Sequence, residues 1–284
     1  RYFRYYPYEE YKLDLCDSVE PDLEFPLAPA PEVSIIIPCF NHFDLTIKCL
    51  HSVLKHSSGI AYEVIIADDK STDETAVIEK YAKNVVHTVN QKENGFINNC
   101  NSGAACARGK YLFFLNNDTQ VQPGYLSALL ETIRADADIG AVGSMLIFPN
   151  GQVQEAGGVI FRDCNAWNLG RFNKIINEVS LNYVREVDYI SGAAVMVRKS
   201  VFEKLGGFDV RYAPAYCEDS DLCLKIRYHA HMKVVFQPKS RVVHFEGQSF
   251  NDEKKAALIA RNNGILFESF SKELSREHVF DTQY

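Results

Sequence analysis

Asn116, Asn117 and Asp118 follow directly on the apolar run Tyr111–Leu115, with no glycine between the strand-like segment and the cluster of oxygen-bearing side chains. Amide and carboxylate oxygens are hard ligands, the kind that Mg²⁺ or Mn²⁺ takes while it also holds a diphosphate. The same residues could simply turn the chain toward a helix opened by Pro123. A second group, Glu218, Asp219 and Asp221 in YCEDSDLCLKI, stands at the front of a predicted helix. Acids there favour the positive dipole end, and one of them could equally serve as a general base. His244, in VVHFEG, follows an apolar pair, the setting of a structural histidine or of a metal ligand; His229 and His231 read as surface or hinge residues.

Three earlier loops hold further polar groups. In PCFN, Pro38 stops strand pairing, Phe40 offers an aromatic face, and Asn41 either presents its amide or, like Asp44, caps the next helix. In ADDKSTDET, Asp73 or Thr72 suits a helix cap, and strand alternation sends the side chains of Asp68 and Asp69 opposite ways, so that one can face a ligand. In the third loop Gly95 precedes a helix carrying Asn98, Asn101 and Ser102, backed by Gly103, Ala104 and Ala105. Small residues permit close backbone approach, and asparagines form helices poorly and need another reason to be there. Neither G-x-x-x-x-G-K-[ST] nor G-x-G-x-x-G occurs in it.

Short apolar runs alternating with amphipathic stretches must position these loops. From Val33 the order is VSIII, a helix over 44–56, YEVIIA, a stretch over 73–83, NVVHTV, a helix over 97–108, KYLFFL, a helix over 123–135, and IGAVGSML. This predicts an α/β chain of right-handed β-α-β units on a mostly parallel sheet, which binds ligands beyond the carboxyl ends of its strands. Residues 1–31 read as an arm or linker that packs on the domain. Residues 32–250 form the domain, with a regularly alternating half (32–122) and a mixed half (123–250); 251–284 supply a last helix, over about 252–271, and a tail.

The net charge of −7, from 30 basic and 37 acidic residues, and the lack of any long basic block argue against nucleic-acid binding. Eight cysteines without a C-x-x-C pair make a zinc site improbable and suit a reducing cytosol; Cys39, Cys49, Cys106 and Cys223 sit in apolar patterns. The longest apolar runs are too short to span a membrane. The chain opens at Arg1, which fits a segment of a longer polypeptide.

The pieces SIIIPCFN, IIADDKSTDET, NGFINNCNSGAACARGKYLFFLNND, GGFD, YCEDSDLCLKI and VVHFEG, in that order over about residues 33–247, resemble the family 2 glycosyltransferases of the GT-A fold. The resemblance implies an inverting transfer of sugar from a nucleotide-sugar donor. It implies that Pro38 and Phe40 line the base pocket, that Asp69 hydrogen-bonds a pyrimidine, and that Asn41, Gly95 and Asn98 join the donor-binding set. Asn117 and Asp118 stand where the family carries D-x-D, with Asp118 the ligand of Mn²⁺ or Mg²⁺, His244 completing the metal site and Asn117 near the ribose or diphosphate. Asp219 matches the usual catalytic base, Glu218 and Asp221 orient acceptor or base, and Gly192 shapes the donor sugar pocket. Asparagine in place of the leading acids leaves one carboxylate for the metal.

Those asparagines, with EAGGVIFRDCNAWNLGRF and REVDYISGAAVMVRKS, look like bacterial enzymes of O-antigen and capsule synthesis, including rhamnosyltransferases and users of uridine diphosphate sugars. The donor is then UDP- or dTDP-linked, and the acceptor a glycan or lipid-linked glycan, met in the cytoplasm or at the inner face of the membrane by a peripherally associated enzyme. Trp167 either stacks on an acceptor sugar or belongs to the core. An inactive nucleotide-sugar-binding module of a multi-domain synthase is the alternative; a nucleotidyltransferase would need a glycine-rich basic loop, and residues 33–45 have none.

Overall fold

The computed structural model describes residues 4–6, 11–18, 22–174, 179–246 and 252–277. In chain order the first half contains β1 (Arg4–Tyr5), β2 (Leu23–Glu24), β3 (Val33–Cys39), α1 (Phe43–His56), β4 (Tyr62–Asp68), β5 (Ala82–Lys83), β6 (Val86–Val89), α2 (Phe96–Cys106), β7 (Tyr111–Leu115) and β8 (Thr119–Val121). It continues with α3 (Tyr125–Ala135), β9 (Ile139–Ile147), β10 (Val153–Glu155), β11 (Gly158–Ile160), β12 (Ala166–Asn168), β13 (Tyr183–Glu186) and β14 (Ala194–Arg198). The last elements are α4 (Lys199–Lys204), α5 (Glu218–Tyr228), β15 (Lys233–His244) and α6 (Asp252–Glu277). The expected domain boundary at residue 250 and the tail after 277 lie outside the described residues.

β6, β4, β3 and β7 pair in parallel, as the alternation of apolar runs and helices requires. β14 then lies reversed between β7 and β9, and β15 runs parallel to β9. β3, β4, β6, β7, β9 and β15 therefore all point one way, the mostly parallel sheet expected of the sequence. Strand alternation splits the core in two. Ile36, Leu112 and Phe114 face one side with residues of α2, α4, α5 and α6, while Ile35, Ile37, Phe113 and Leu115 face the other with α1 and α3.

Two local expectations change. Over 73–83 the chain forms only a 3₁₀ turn, Glu74–Lys80, with Val77 outside helical backbone, because Tyr81 and Lys83 give their carbonyls to Leu23 and Phe25 of the arm. Pairing of β2 with β5 overrides helix periodicity there. Cys106 is exposed at the end of α2, whereas Cys39, Cys49 and Cys223 are buried as small core residues.

Two glutamines join the described part of the arm to the sheet. Gln120 on β8 and Gln122 just after it accept the backbone N–H groups of Cys16 and Asp14 and donate to their carbonyls, so two side-chain amides stand in for a missing strand. Among the described residues no helix is long and apolar enough to cross a membrane.

Gly103 marks where α2 meets the sheet most closely: a Cβ there would lie 2.8 Å from Ile36 Cγ2 and 3.0 Å from Ala67 Cβ. Gly103→Val should lower unfolding stability by about 1–3 kcal/mol, the cost of overpacking, as read by urea denaturation; an unchanged midpoint would mean that α2 is free to shift.

Candidate active site

The loops that leave β3, β4 and β7 meet the start of β14 and the front of α5 at one end of the sheet. The strand ends there have backbone groups without ladder partners, and side chains satisfy them. Asn99, fully within α2, donates Nδ2 to Ala67 O at 2.6 Å and to Cys39 O at 3.4 Å, tying the ends of β4 and β3 together. Asn101 exchanges two hydrogen bonds with the backbone of Phe208 in the GGFD turn. These contacts are the reason for asparagines in a helix. Asn98 is also committed locally: its Nδ2 donates to Glu93 O.

Asp69 is buried after β4. Its Oδ1 accepts from Asn90 Nδ2 and its Oδ2 from the Gly95 amide, both at 2.7 Å, so the carboxylate that the resemblance assigns to a pyrimidine also fixes the third loop. Gly95 has φ 147°, and a Cβ on it would lie 2.9 Å from Pro214, which explains the glycine twice over. On the first loop Pro38 is buried within β3, opposite Ala67, and the strand continues to Cys39. Pairing with β7 stops at Ile36, so Pro38 occupies an edge position where its missing N–H is tolerated. Phe40 is exposed and carries the aromatic face of this loop. Asn41 spends its Oδ1 on the Thr72 amide. The cap on α1 comes from elsewhere: Asp73 accepts from Phe43 N at 3.0 Å while it caps its own turn through Thr75 N, so neither Asn41 nor Asp44 is needed.

The Asn-Asn-Asp cluster both turns the chain and presents a ligand. α1 grips the turn from one face, with Thr46 accepting from Asn117 Nδ2 and Ser52 accepting from Val121 N. Asp118 then points to His244, at 3.2 Å from Oδ1 to Nε2, because β8 pairs with β15 in a register that sets Thr119 opposite His244. The other ring nitrogen, Nδ1, lies 3.1 Å from Gln154 Oε1. Gln154 in turn hydrogen-bonds the Glu246 carboxylate, which can only accept, so its amide nitrogen faces Glu246 and its oxygen faces the imidazole. This makes Nδ1 a donor and leaves Nε2 facing the Asp118 carboxylate. A cation held between Asp118 Oδ1 and Nε2 would find one hard oxygen and one imidazole nitrogen, with Gln154 placed to give the outer hydrogen bond usual for a ligating histidine.

Across the site, Gly192 N donates to Asp219 Oδ2 at 3.0 Å, and Ser220 N to Asp219 Oδ1 at 2.7 Å. Burial pushes the Asp219 carboxyl above the usual carboxylate range. Glu218, buried where Asp219 keeps some exposure, is pushed far above it by burial and by Asp219, and its Oε2 has no hydrogen-bond partner among the described residues. Asp221 has no exposed surface, and its carboxylate is taken by Tyr212 OH and Lys225 Nζ. Its expected acceptor contact is therefore corrected to a brace of α5. Trp167 is 58% exposed on the β11–β12 hairpin, edge-on to Phe161, which removes it from the core.

Two features went unread in the sequence. Glu155, on β10, is buried behind the site and accepts from Ser191 N at 2.9 Å. Asn262, on α6, donates Nδ2 to the carbonyls of Tyr212, Ala215 and Tyr216, clamping the loop that leads into Glu218 and Asp219. A buried polar residue on a helix face was the signal available for Asn262; its partners lie some fifty positions earlier and left none.

A parallel nucleotide-side sheet, an aspartate–histidine pair beyond its central strand and a carboxylate at the front of a helix opposite define a glycosyltransferase domain of the GT-A architecture. Known proteins agree. The family described as Glycosyl transferase family 2 matches residues 34–206, and the chain belongs to it. The O-antigen biosynthesis protein RfbC of Myxococcus xanthus is 32% identical over 238 residues, covering 80% of this chain and 18% of its own length. The N-acetylglucosaminyl-diphospho-decaprenol L-rhamnosyltransferase of Mycobacterium tuberculosis is 27% identical over 166 residues, 54% of this chain and 52% of its own. In fold, the chain is similar to GalNAc-T7 crystallised with UDP, GalNAc and Mn²⁺ (TM-score 0.64, 18% identity, 78% of this chain and 45% of that one). It is similar also to the mannosyltransferase PcManGT of Pyrobaculum calidifontis in complex with GDP-Man and Mn²⁺ (TM-score 0.59, 17% identity, 93% and 68%).

Asn262→Ala leaves three carbonyls without their common donor. It should cost about 1–3 kcal/mol of stability, seen as an earlier urea midpoint; an unmoved midpoint would show that the clamp contributes nothing.

Proposed function

We propose that this domain transfers a hexosyl or rhamnosyl unit, with inversion, from a UDP- or dTDP-linked nucleotide sugar to a hydroxyl of a growing glycan in bacterial surface polysaccharide synthesis. The observation that carries this reading is the pairing of Asp118 Oδ1, on the loop after β7, with His244 Nε2, on a loop whose Asn116 amide is bonded to Ala193 O, next to the Gly192 amide that holds the Asp219 carboxylate. The relatives support the pathway class, since one is a protein of O-antigen biosynthesis and another a rhamnosyltransferase. Both are longer than the segment they share with this chain, which suits a module of a longer protein that works at the inner membrane face on a lipid-linked glycan.

Phe40 stacks on the base, with Pro38 behind it in the strand, and Asp69 accepts from the pyrimidine while keeping Gly95 in place. Asn41 and Asn98 hold the rims of that pocket by their loop contacts, Asn117 lies beside the ribose or diphosphate, and Gly192 leaves room for the donor sugar. Asp118 and His244 are the chain's ligands for Mn²⁺ or Mg²⁺, the donor set being one hard oxygen and one neutral imidazole nitrogen. When bound, such an ion supplies Lewis acidity and neutralises the charge of a departing nucleotide diphosphate. Asp219 takes the proton of the acceptor hydroxyl, and its two backbone donors orient it for that task. Glu218 holds its own proton and so leaves the negative charge on Asp219. Trp167 offers the acceptor sugar an exposed ring.

Three outcomes test the reading. Asp219→Asn should lower transfer by at least about 100-fold while calorimetric binding of the nucleotide diphosphate with Mn²⁺ is nearly kept; turnover at the parental rate would remove Asp219 from the chemistry. His244→Ala should lose the dependence of that binding on Mn²⁺, and binding of neither UDP nor dTDP by the parent would overturn donor use. Because Asp219 must be ionised and its carboxyl is raised, transfer should fall with acidification already above pH about 4, the ordinary aspartate value; an acid limb at or below that value would contradict the buried base.

A further inference from the structure

Ser191 and Gly192 present two successive amides to two different carboxyl groups. Ser191 N donates to Glu155 Oε1 at 2.9 Å from one side, and Gly192 N donates to Asp219 Oδ2 at 3.0 Å from the other. Glu155 is 1% exposed, and its Oε2 has no hydrogen-bond partner among the described residues. The charged groups that act on it are Asp219 from α5, Arg171 from the segment after β12, and Glu246 from the segment after β15; the Tyr189 hydroxyl lies within reach of the same charges. Arg171 is engaged by Glu246 at 2.9 Å and lies over the rings of Phe148 and Phe172. It is thus committed elsewhere. An ionised Glu155 would place a second buried negative charge near the base with one oxygen unpaired, which is the expensive form of a buried carboxyl.

We propose that Glu155 is a positioning residue for Asp219: an uncharged carboxyl that fixes the Ser191–Gly192 peptide from behind, so that the Gly192 amide stays aimed at the base. Burial, reinforced by Asp219 and Glu246, pushes the Glu155 carboxyl up to about 8, so it holds its proton at neutral pH. Asp219, held by two N–H donors, keeps the charge. Above pH 8 Glu155 ionises; a second buried negative charge then stands beside the base, and its desolvation cost favours arrangements in which the carboxylate moves toward water and off the Ser191–Gly192 peptide. The proposal rests on Asp219 being the base, and it adds an alkaline limit to the acid limit derived above.

The test compares Glu155→Gln, which keeps an acceptor oxygen for Ser191 N and is neutral at every pH, with Glu155→Ala. Transfer rates and thermal melting are recorded for both variants and the parent between pH 5 and 9. Glu155→Gln should retain kcat within about 3-fold and lose the parental fall above pH 8, whereas Glu155→Ala should lose kcat by about 10-fold or more with KM little changed. Melting gives a readout independent of turnover. A carboxyl at about 4.3 in the unfolded chain and about 8 in the folded one binds more protons when folded, so parental stability falls as pH rises through that window. The melting temperature of Glu155→Gln should accordingly gain on the parent's from pH 5 to 8 and gain no further above it. A gap that ignores pH, an alkaline limb that survives in Glu155→Gln, or equal losses in both variants would overturn the role of Glu155. Absence of transfer in the parent is a different failure, that of the function proposed above, and the melting comparison tells the two apart.

Discussion

Three consecutive residues, Ser191, Gly192 and Ala193, join the halves of this molecule at the place where chemistry is proposed. Ser191 N engages Glu155, Gly192 N engages Asp219, and Ala193 O accepts the Asn116 amide at the end of β7. The backbone of one short segment thus touches the loop after β7, Asp219 and the buried Glu155 behind it. A Cβ on Gly192 would stand in ordinary contact, 3.6 Å from the Phe96 ring and 3.7 Å from Asp219 Cβ, between α2 and the Asp219 side chain. Backbone amides make good holders because they carry no charge of their own and are fixed by the strand that follows.

The electrostatics follow from that frame. Glu155, Glu218 and Asp219 are gathered in a buried region, and three ionised carboxylates would repel strongly. Donors are distributed unequally: Asp219 receives two backbone N–H groups, whereas Glu155 and Glu218 each keep an oxygen with no partner among the described residues. The inequality favours Asp219 over Glu155 and Glu218 as the carboxyl that carries negative charge. Around His244 the same logic acts through a chain of hydrogen bonds, in which Glu246 orients Gln154, Gln154 orients His244, and His244 presents Nε2 toward Asp118. Neither arrangement relies on one residue.

The parts legible in the sequence were those carried by local pattern. Alternation of VSIII, YEVIIA and YLFFL with amphipathic stretches gave the parallel half, and the strand-end positions of Asp69, Asp118 and His244 were readable because a sheet of this kind uses its carboxyl ends. What stayed hidden depends on contacts between distant positions. Asp73 reads as the cap of its own turn, yet it also caps α1, thirty residues earlier. Asn98 and Asn99 are indistinguishable by type and spacing, and only the approach of α2 to β3 and β4 gives the strand-tying role to Asn99. Asp221 resembles its acidic neighbours until Tyr212 and Lys225 enclose it. Glu155 sits in an unremarkable polar-apolar mixture, QEAGG, whose burial depends on β10 folding back over β9.

The reversed strand β14 carries a consequence for how the molecule assembles. β3, β4, β6 and β7 find their partners among residues 33–115, and this half leaves a ribosome first. β14 arrives from some eighty positions further on and must enter a slot with β7 on one side and β9 on the other, a non-local step that is slow. Until it docks, β7 and β9 are open edges with unpaired backbone groups and strongly apolar faces, the state in which such chains aggregate. Docking of β14 closes both edges and, through the residues just before it, delivers the amide that orients Asp219. Protection from aggregation and completion of the proposed site are one event, so a nascent or truncated chain lacking β14 is at once sticky and without the amide that holds Asp219.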